Sequence, residues 1–410
     1  MKAVQLVDLR KNIPRYLLTK TLGVVHRPAY WGPLGLIQYH EVPDPTLPGP
    51  EWVRIRTRYG GICGSDLGVV FLKINPSLSA FASLPLVLGH ENVGTVTETG
   101  GQVEGLAAGD RVVADPLLPC AVRGIEEPCE PCRRGQFAYC HNFAEGNLAP
   151  GFSIGGCRDT GGSWGPVFVA HQSQIYRLPS QVSDENGLMV EPCAAALHAV
   201  MRSPPDDNDI VLVIGAGTFG LCVVASIRAL GSRARVIITA KYPFQAELAA
   251  ELGADQVVRP GQQSLLEAVA SSTDSARYRS FLGQELLVGG VDITYDCVGN
   301  ERTIRDSLSL TRGGGTVVLA GLAALLKRVD WTPIWQKELS VRGSVWSGTE
   351  SVGGRRVRTY EQVMEWMAEG KLDLAPLVTH CFRLDAYQEA LAVASDKGRH
   401  RVIKPAFVFD

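Results

Sequence analysis

Two sets of residues in this chain have the types and spacing to hold a metal ion. The tighter is Cys129-x2-Cys132-x7-Cys140, which sets three thiolates close together in a segment rich in turn-forming residues. Cys120 is the natural fourth ligand and would complete a closed tetrahedral zinc site of four sulfurs. A closed site leaves no position for substrate, so its role would be structural. Glu126 lies nearer in sequence and competes for the fourth place, but zinc among thiolates favours another soft ligand, which selects Cys120.

The second set is dispersed. Cys63 lies in Gly61-Ile62-Cys63-Gly64-Ser65-Asp66 and His90 in Gly89-His90-Glu91, each in a glycine-bordered turn, and Glu191 precedes Pro192 and Cys193. Cys63, His90 and Glu191 would give three protein ligands and one open position, the arrangement of a catalytic zinc. Taken singly each has a plain reading as a buried thiol, a core imidazole and a surface carboxylate. Their combination is what points to chemistry.

A third motif binds a different kind of ligand. The run Val211-Leu212-Val213-Ile214 leads into Gly215-Ala216-Gly217-Thr218-Phe219-Gly220, a G-x-G-x-x-G between an apolar strand and a helix. In this arrangement Gly215 permits the turn, Gly217 lets backbone approach a pyrophosphate, and Gly220 lets helix and strand pack closely. The helix that Thr218 and Phe219 open offers its N-terminal N–H groups to phosphate. The next strand, Val236–Thr239, ends in Ala240-Lys241 with no carboxylate to receive the ribose hydroxyls. A lysine there attracts a 2′-phosphate, so NADP(H) is expected over NAD(H).

These motifs need two kinds of scaffold. Residues 1 to about 185 carry short apolar runs between Gly and Pro, as at Trp52–Ile55, Gly94–Thr97 and Arg111–Ala114, which predicts a β-rich domain. From about 186 to 345, strand-like runs at 210–214, 236–239, 291–295 and 316–320 alternate with helical segments. That is the pattern of βαβ units in a parallel sheet. The last stretch, 346–410, holds two amphipathic segments and a closing apolar run. Ser271–Val288 looks like an insertion. The net charge of −2 suggests neither a nucleic-acid nor an anionic membrane partner, because both need clustered positive charge, and none of either kind is expected. Asp8, Asn12 and Pro14 interrupt the N-terminal segment before an apolar core of leader length can form, and no run of 18 apolar residues follows. A soluble, cytoplasmic protein is expected.

Taken in order, G-I-C-G-S-D, G-H-E, the C-x2-C-x7-C lobe, E-P before a helix and G-x-G-x-x-G resemble the zinc-containing alcohol dehydrogenases of the medium-chain dehydrogenase/reductase superfamily, particularly the sorbitol and threonine dehydrogenase branch. The resemblance runs from about residue 50 to the C-terminus. It implies an α/β protein: a GroES-like β-rich catalytic domain (1–190), a Rossmann domain with a doubly wound parallel sheet (191–345), and a return to the catalytic domain (346–410). By the same resemblance Cys63, His90 and Glu191 become the catalytic zinc ligands and Glu91 lies beside the metal. Ser65 accepts the substrate proton, and Asp66 orients His90 through its second ring nitrogen.

The implied reaction moves a hydride between a small-molecule alcohol or carbonyl and NADP(H) or NAD(H), in a homodimer or homotetramer. Two features depart from the family pattern: Glu126 stands where the lobe's first cysteine is usual, and Gly68 where some members carry a relay histidine. A catalytically silent zinc- and NADP(H)-binding sensor is the rival from another class, and a zinc-free C=C reductase the rival within the fold. Trp164, Trp331, Trp335 and Trp346 are candidate pocket walls, and His380-Cys381 resembles a metal pair whose members would point to opposite faces of a strand.

Overall fold

From Val53 to Arg58 the chain alternates strictly, with Val53, Ile55 and Thr57 buried and Arg54, Arg56 and Arg58 turned outward. This period of two makes the strand Trp52–Gly61 the spine of a sheet with one face on a core. The computed structural model describes residues 1–410. In it that strand pairs antiparallel with Asn92–Thr99, Val167–His171 and Lys404–Val408. The sheet runs in the order Val378–Arg383, Lys404–Val408, Trp52–Gly61, Asn92–Thr99, Arg111–Ala114, Ile175–Arg177. Its core is built from Val53, Ile55, Val96, Val112, Leu118 and Phe168. The pairing of Lys404–Val408 with Tyr59–Gly61 carries the chain's last segment beside the turn that follows residue 61.

The chain divides into two compact units, one of Met1–Glu191 with Tyr360–Asp410, the other of Pro192–Thr359. In the second, six parallel strands lie in the order Gln256–Val258, Arg235–Thr239, Ile210–Ile214, Val291–Asp296, Thr311–Leu319, Ser340–Gly343. The strand leading into the glycine motif is central, and the sheet is wound outward from it in both directions, as a Rossmann sheet is. Val211, Leu212 and Val213 are fully buried, which explains their continuous apolar run.

Several local expectations are corrected. Glu191-Pro192 does not precede a helix; it lies inside the helix Asp184–Met201, where Pro192 has no N–H to give to the preceding turn. The segment 346–359 stays with the second unit. Its hairpin, Thr349–Val352 with Arg355–Arg358, is held there by Glu350 on His198 Nδ1 (2.5 Å) and by Thr359 N–H on the Gly348 carbonyl. Residues 276–288 form a second hairpin. Trp164 is fully buried and gives its indole N–H to the Gly61 carbonyl, so it is a packing residue, whereas Trp331 and Trp335 are exposed. His380 and Cys381 do share the strand Val378–Arg383 and enter no metal-competent group.

Candidate active site and metal centres

Cys63 ends the turn after the central strand and caps the short helix Gly64–Val70. Asp66, in the first turn of that helix, accepts the Cys63 N–H at 2.8 Å through one carboxylate oxygen. Its other oxygen lies 3.3 Å from His90 Nδ1. One buried carboxylate thus fixes both the backbone that carries the thiol and the ring that faces it. Burial opposes charge on His90, but Asp66 and Cys63 outweigh it and hold the ring's pKa well above the usual histidine range. A carboxylate on Nδ1 is the arrangement that orients an imidazole to ligate a metal through its other ring nitrogen. Ser65 stands half-buried in the same helical turn.

The ligand atoms of Cys63, His90 and Glu91 lie within 4.8 Å of one another. Glu191 does not join this group. It lies within electrostatic reach of His90, Glu91, Lys404 and Asp115, and burial pushes its carboxyl up to about 7. Glu91 is fully buried, and one of its oxygens takes a 2.5 Å hydrogen bond from the ammonium of Lys404. The other, Oε2, has no partner. A buried carboxylate oxygen without a partner is costly, and here it lies next to a thiol and an imidazole. A thiolate, an imidazole and a carboxylate are a donor set that fits zinc. Lys404, 313 residues away in sequence, was not singled out from the sequence. Its signal is only a lysine inside the otherwise apolar run Val402–Phe407.

The second cluster brings Cys120, Cys129, Cys132 and Cys140 within 4.8 Å of one another, and Glu126 is not among them. Cys120 and Cys140 sulfurs are 3.6 Å apart, and all ten cysteines are free thiols. Backbone N–H groups of Cys129, His141 and Asn142 point at sulfur atoms, as does the Asn142 side-chain amide at 3.2 Å from Cys120. The Cys132 thiol donates to Cys140 and holds its pKa down to about 5, while the same bond pushes Cys132 up. Four sulfurs with one already favoured as thiolate fit a closed zinc site. Arg123, fully buried, braces the loop after Cys140 by donating to the carbonyls of Phe143, Glu145, Leu148, Ala149 and Gly151. This role too was missed from the sequence.

In the second unit, Gly215 turns with φ +103°, and a Cβ at Gly220 would collide with the Gly215 carbonyl. At Gly217 a Cβ would meet nothing within 4 Å. That glycine therefore borders open space at the N-terminus of the helix Thr218–Ala229, which no side chain caps. The place fits a pyrophosphate. Ala240 closes the next strand, and Lys241 follows it with its ammonium 5.2 Å from the Tyr242 ring centre. The adjoining strand, Gln256–Val258, is followed by Arg259, whose buried Nε has no partner.

Two family models match: the alcohol dehydrogenase GroES-like domain over residues 49–180, and the zinc-binding dehydrogenase domain over 219–369. An L-idonate 5-dehydrogenase of Vitis vinifera is 32% identical over 82% of this chain and 81% of its own. A sorbitol dehydrogenase of Arabidopsis thaliana is 32% identical over 82% of each. A putative zinc-binding dehydrogenase from Sinorhizobium meliloti, solved bound to NADP, superposes with a TM-score of 0.74 at 25% identity, covering 100% of this chain and 99% of that one. The chain belongs to the zinc-dependent alcohol dehydrogenase family of the medium-chain dehydrogenase/reductase superfamily. It is an oxidoreductase acting on alcohols with a nicotinamide cofactor. Nothing favours the silent-sensor reading.

Proposed function

We propose that this enzyme oxidises a secondary hydroxyl of a polyol, or of a sugar acid related to one, with NADP⁺, and reduces the corresponding ketone in reverse. The substrate class is suggested by the relatives named for idonate and sorbitol. The observation that carries the reading is the buried meeting of Cys63, His90 and Glu91, with Asp66 behind the imidazole and Glu91 Oε2 unpartnered. Cys63, His90 and Glu191 would hold a catalytic zinc, with Glu91 as a further oxygen beside it. Cys120, Cys129, Cys132 and Cys140 would hold a structural one.

When bound, zinc stabilises the alcohol oxygen as its proton leaves, and the nicotinamide takes the hydride. The chain's own groups do the rest. Ser65 accepts the proton at its hydroxyl and passes it to water or the cofactor ribose, since Gly68 offers no relay imidazole. Asp66 keeps the His90 tautomer fixed. Lys404 holds Glu91 to one side. Gly215, Gly217, Thr218, Phe219 and Gly220 cradle the pyrophosphate. Lys241 and Arg259, at the ends of neighbouring strands, favour the 2′-phosphate of NADP(H). We read the working form as a cytoplasmic homodimer or homotetramer.

The test is the initial rate of NADP⁺ and NAD⁺ reduction against polyols, aldonic acids and simple alcohols, before and after chelation. Zinc-dependent turnover of a polyol that Cys63→Ala abolishes, with NADPH binding kept, is the expected result. Turnover that survives both chelation and Cys63→Ala would overturn it.

A further inference from the structure

The helix Ile13–Val25 presents an unusual side to solvent. Ile13, Leu17, Leu18, Leu22, Val24 and Val25 are all exposed, Val24 at 79% and Val25 at 92%. At 100° per residue they fall within about half of the helix circumference, an arc that Pro14 and Thr21 share and that Arg15 and Lys20 border. The opposite side is pinned to the protein. Gly23 packs on the Tyr30 ring, the Thr19 hydroxyl donates to the Leu34 carbonyl at 2.8 Å, and Arg15 donates to the carbonyls of Pro33, Leu34 and Gly35. Tyr30 and Trp31 in turn pack in the same core as Val70 and Leu391. The apolar side is therefore held outward by a fixed base, and thirteen residues make a flat strip about 20 Å long.

The charges around this strip are one-sided. Residues 9–36 contain Arg10, Lys11, Arg15, Lys20 and Arg27 and no Asp or Glu, against a net charge of −2 for the whole chain. A two-fold contact between copies would lay this segment on itself, cation against cation, and Asp8, the acid that adjoins it in sequence, is already paired with Arg10. An anionic lipid surface reverses that sign, taking the apolar strip into the acyl boundary and the flanking cations onto headgroup phosphates. No helix of the protein is long and apolar enough to cross a membrane, so the attachment would lie in the interface plane.

We propose that the helix Ile13–Val25 docks this enzyme reversibly on anionic membrane surfaces. The test is co-flotation of the full chain with vesicles of phosphatidylcholine and phosphatidylglycerol in equal parts, against phosphatidylcholine alone, in 0.1 and 0.5 M NaCl. Two variants accompany it: Leu17→Gln/Val24→Gln/Val25→Gln, which removes the apolar strip, and Lys11→Glu/Lys20→Glu, which reverses its flank. Sedimentation velocity and dehydrogenase turnover are recorded for each.

The expected result is partition onto the anionic vesicles that falls at least tenfold on neutral vesicles, in high salt, and in either variant, with sedimentation and turnover unchanged. All the substituted side chains are exposed, so the variants should fold. No flotation of the unsubstituted protein, or equal flotation of the glutamine variant, overturns the proposal. A fall in sedimentation coefficient in the glutamine variant would overturn it in favour of a contact between subunits.

Discussion

Replacing Lys404 by Met keeps an unbranched side chain of nearly the same length and removes the ammonium, with its charge and its hydrogen bond, which isolates the pair it forms with Glu91. Both partners are buried, Lys404 at 2% exposure and Glu91 at none, and Glu91 Oε2 already lacks a hydrogen bond. The variant would leave a carboxylate with no countercharge in a site from which water is excluded. Breaking a buried pair from one side costs about 3–5 kcal/mol. Spread over a unit of roughly 240 residues, that corresponds to a fall of about 6–20 °C in melting temperature. Calorimetry on Lys404→Met, Glu91→Leu and the double variant gives a complete cycle. The double variant should recover most of the loss, because an apolar pair of similar volume replaces a desolvated ionic one. A zinc ion beside Glu91 supplies a second countercharge, so the single variant should lose more in chelated protein than in zinc-loaded protein. A loss below about 1 kcal/mol in Lys404→Met, well short of the buried-pair cost, would refute the reasoning. So would a double variant worse than either single one.

Zinc content per chain should fall by one in Cys120→Ser and stay unchanged in Glu126→Gln, read by atomic emission on the purified proteins. Gly217→Ala should fold with an unchanged melting temperature yet lose dinucleotide affinity, since its methyl enters open space that a pyrophosphate would need. Gly220→Ala should instead lower the melting temperature, because the added carbon strikes the Gly215 carbonyl. Lys241→Ala and Arg259→Ala should each weaken NADPH binding about tenfold or more, the value of one charge-assisted bond to phosphate, and leave NADH binding nearly unchanged in fluorescence titrations.

What the sequence reveals follows from how locally each function is encoded. The glycine motif and the cysteine lobe were legible because a tight turn, a helix start and a four-sulfur cluster are built from residues within about thirty positions. Cys120 could be preferred over Glu126 on ligand softness alone, and its sulfur lies with those of Cys129, Cys132 and Cys140. The partners of these groups were not legible. Lys404 reaches Glu91 only because the last strand pairs with Tyr59–Gly61, a register that no pattern near residue 91 encodes. Arg123 reads as a surface residue until the lobe folds its carbonyls inward around it. The placing of Glu191-Pro192 failed for a related reason. A proline read as a helix start lies here within one, which its missing N–H disfavours but tertiary packing overrides.

The same distinction separates the net charge of a chain from the charge at one of its surfaces. A sum over 410 residues reports −2, yet residues 9–36 hold five Lys and Arg and no Asp or Glu beside an apolar strip, with Arg10 paired to Asp8 just before them. Electrostatic attraction to a surface is felt within a Debye length, about 8–10 Å at physiological salt, so it is the local surplus that a membrane meets. The fold supplies that locality. The strand Lys2–Leu6 pairs with Ile37–Glu41, and this pairing closes the intervening segment into a single projection whose helix is held by Arg15 and Tyr30. Patterning within a segment that the fold isolates therefore carries more information about its partners than the composition of the chain. By that reasoning the exposed strip of the helix, which faces away from the core shared with Val70, can be altered without touching the catalytic residues.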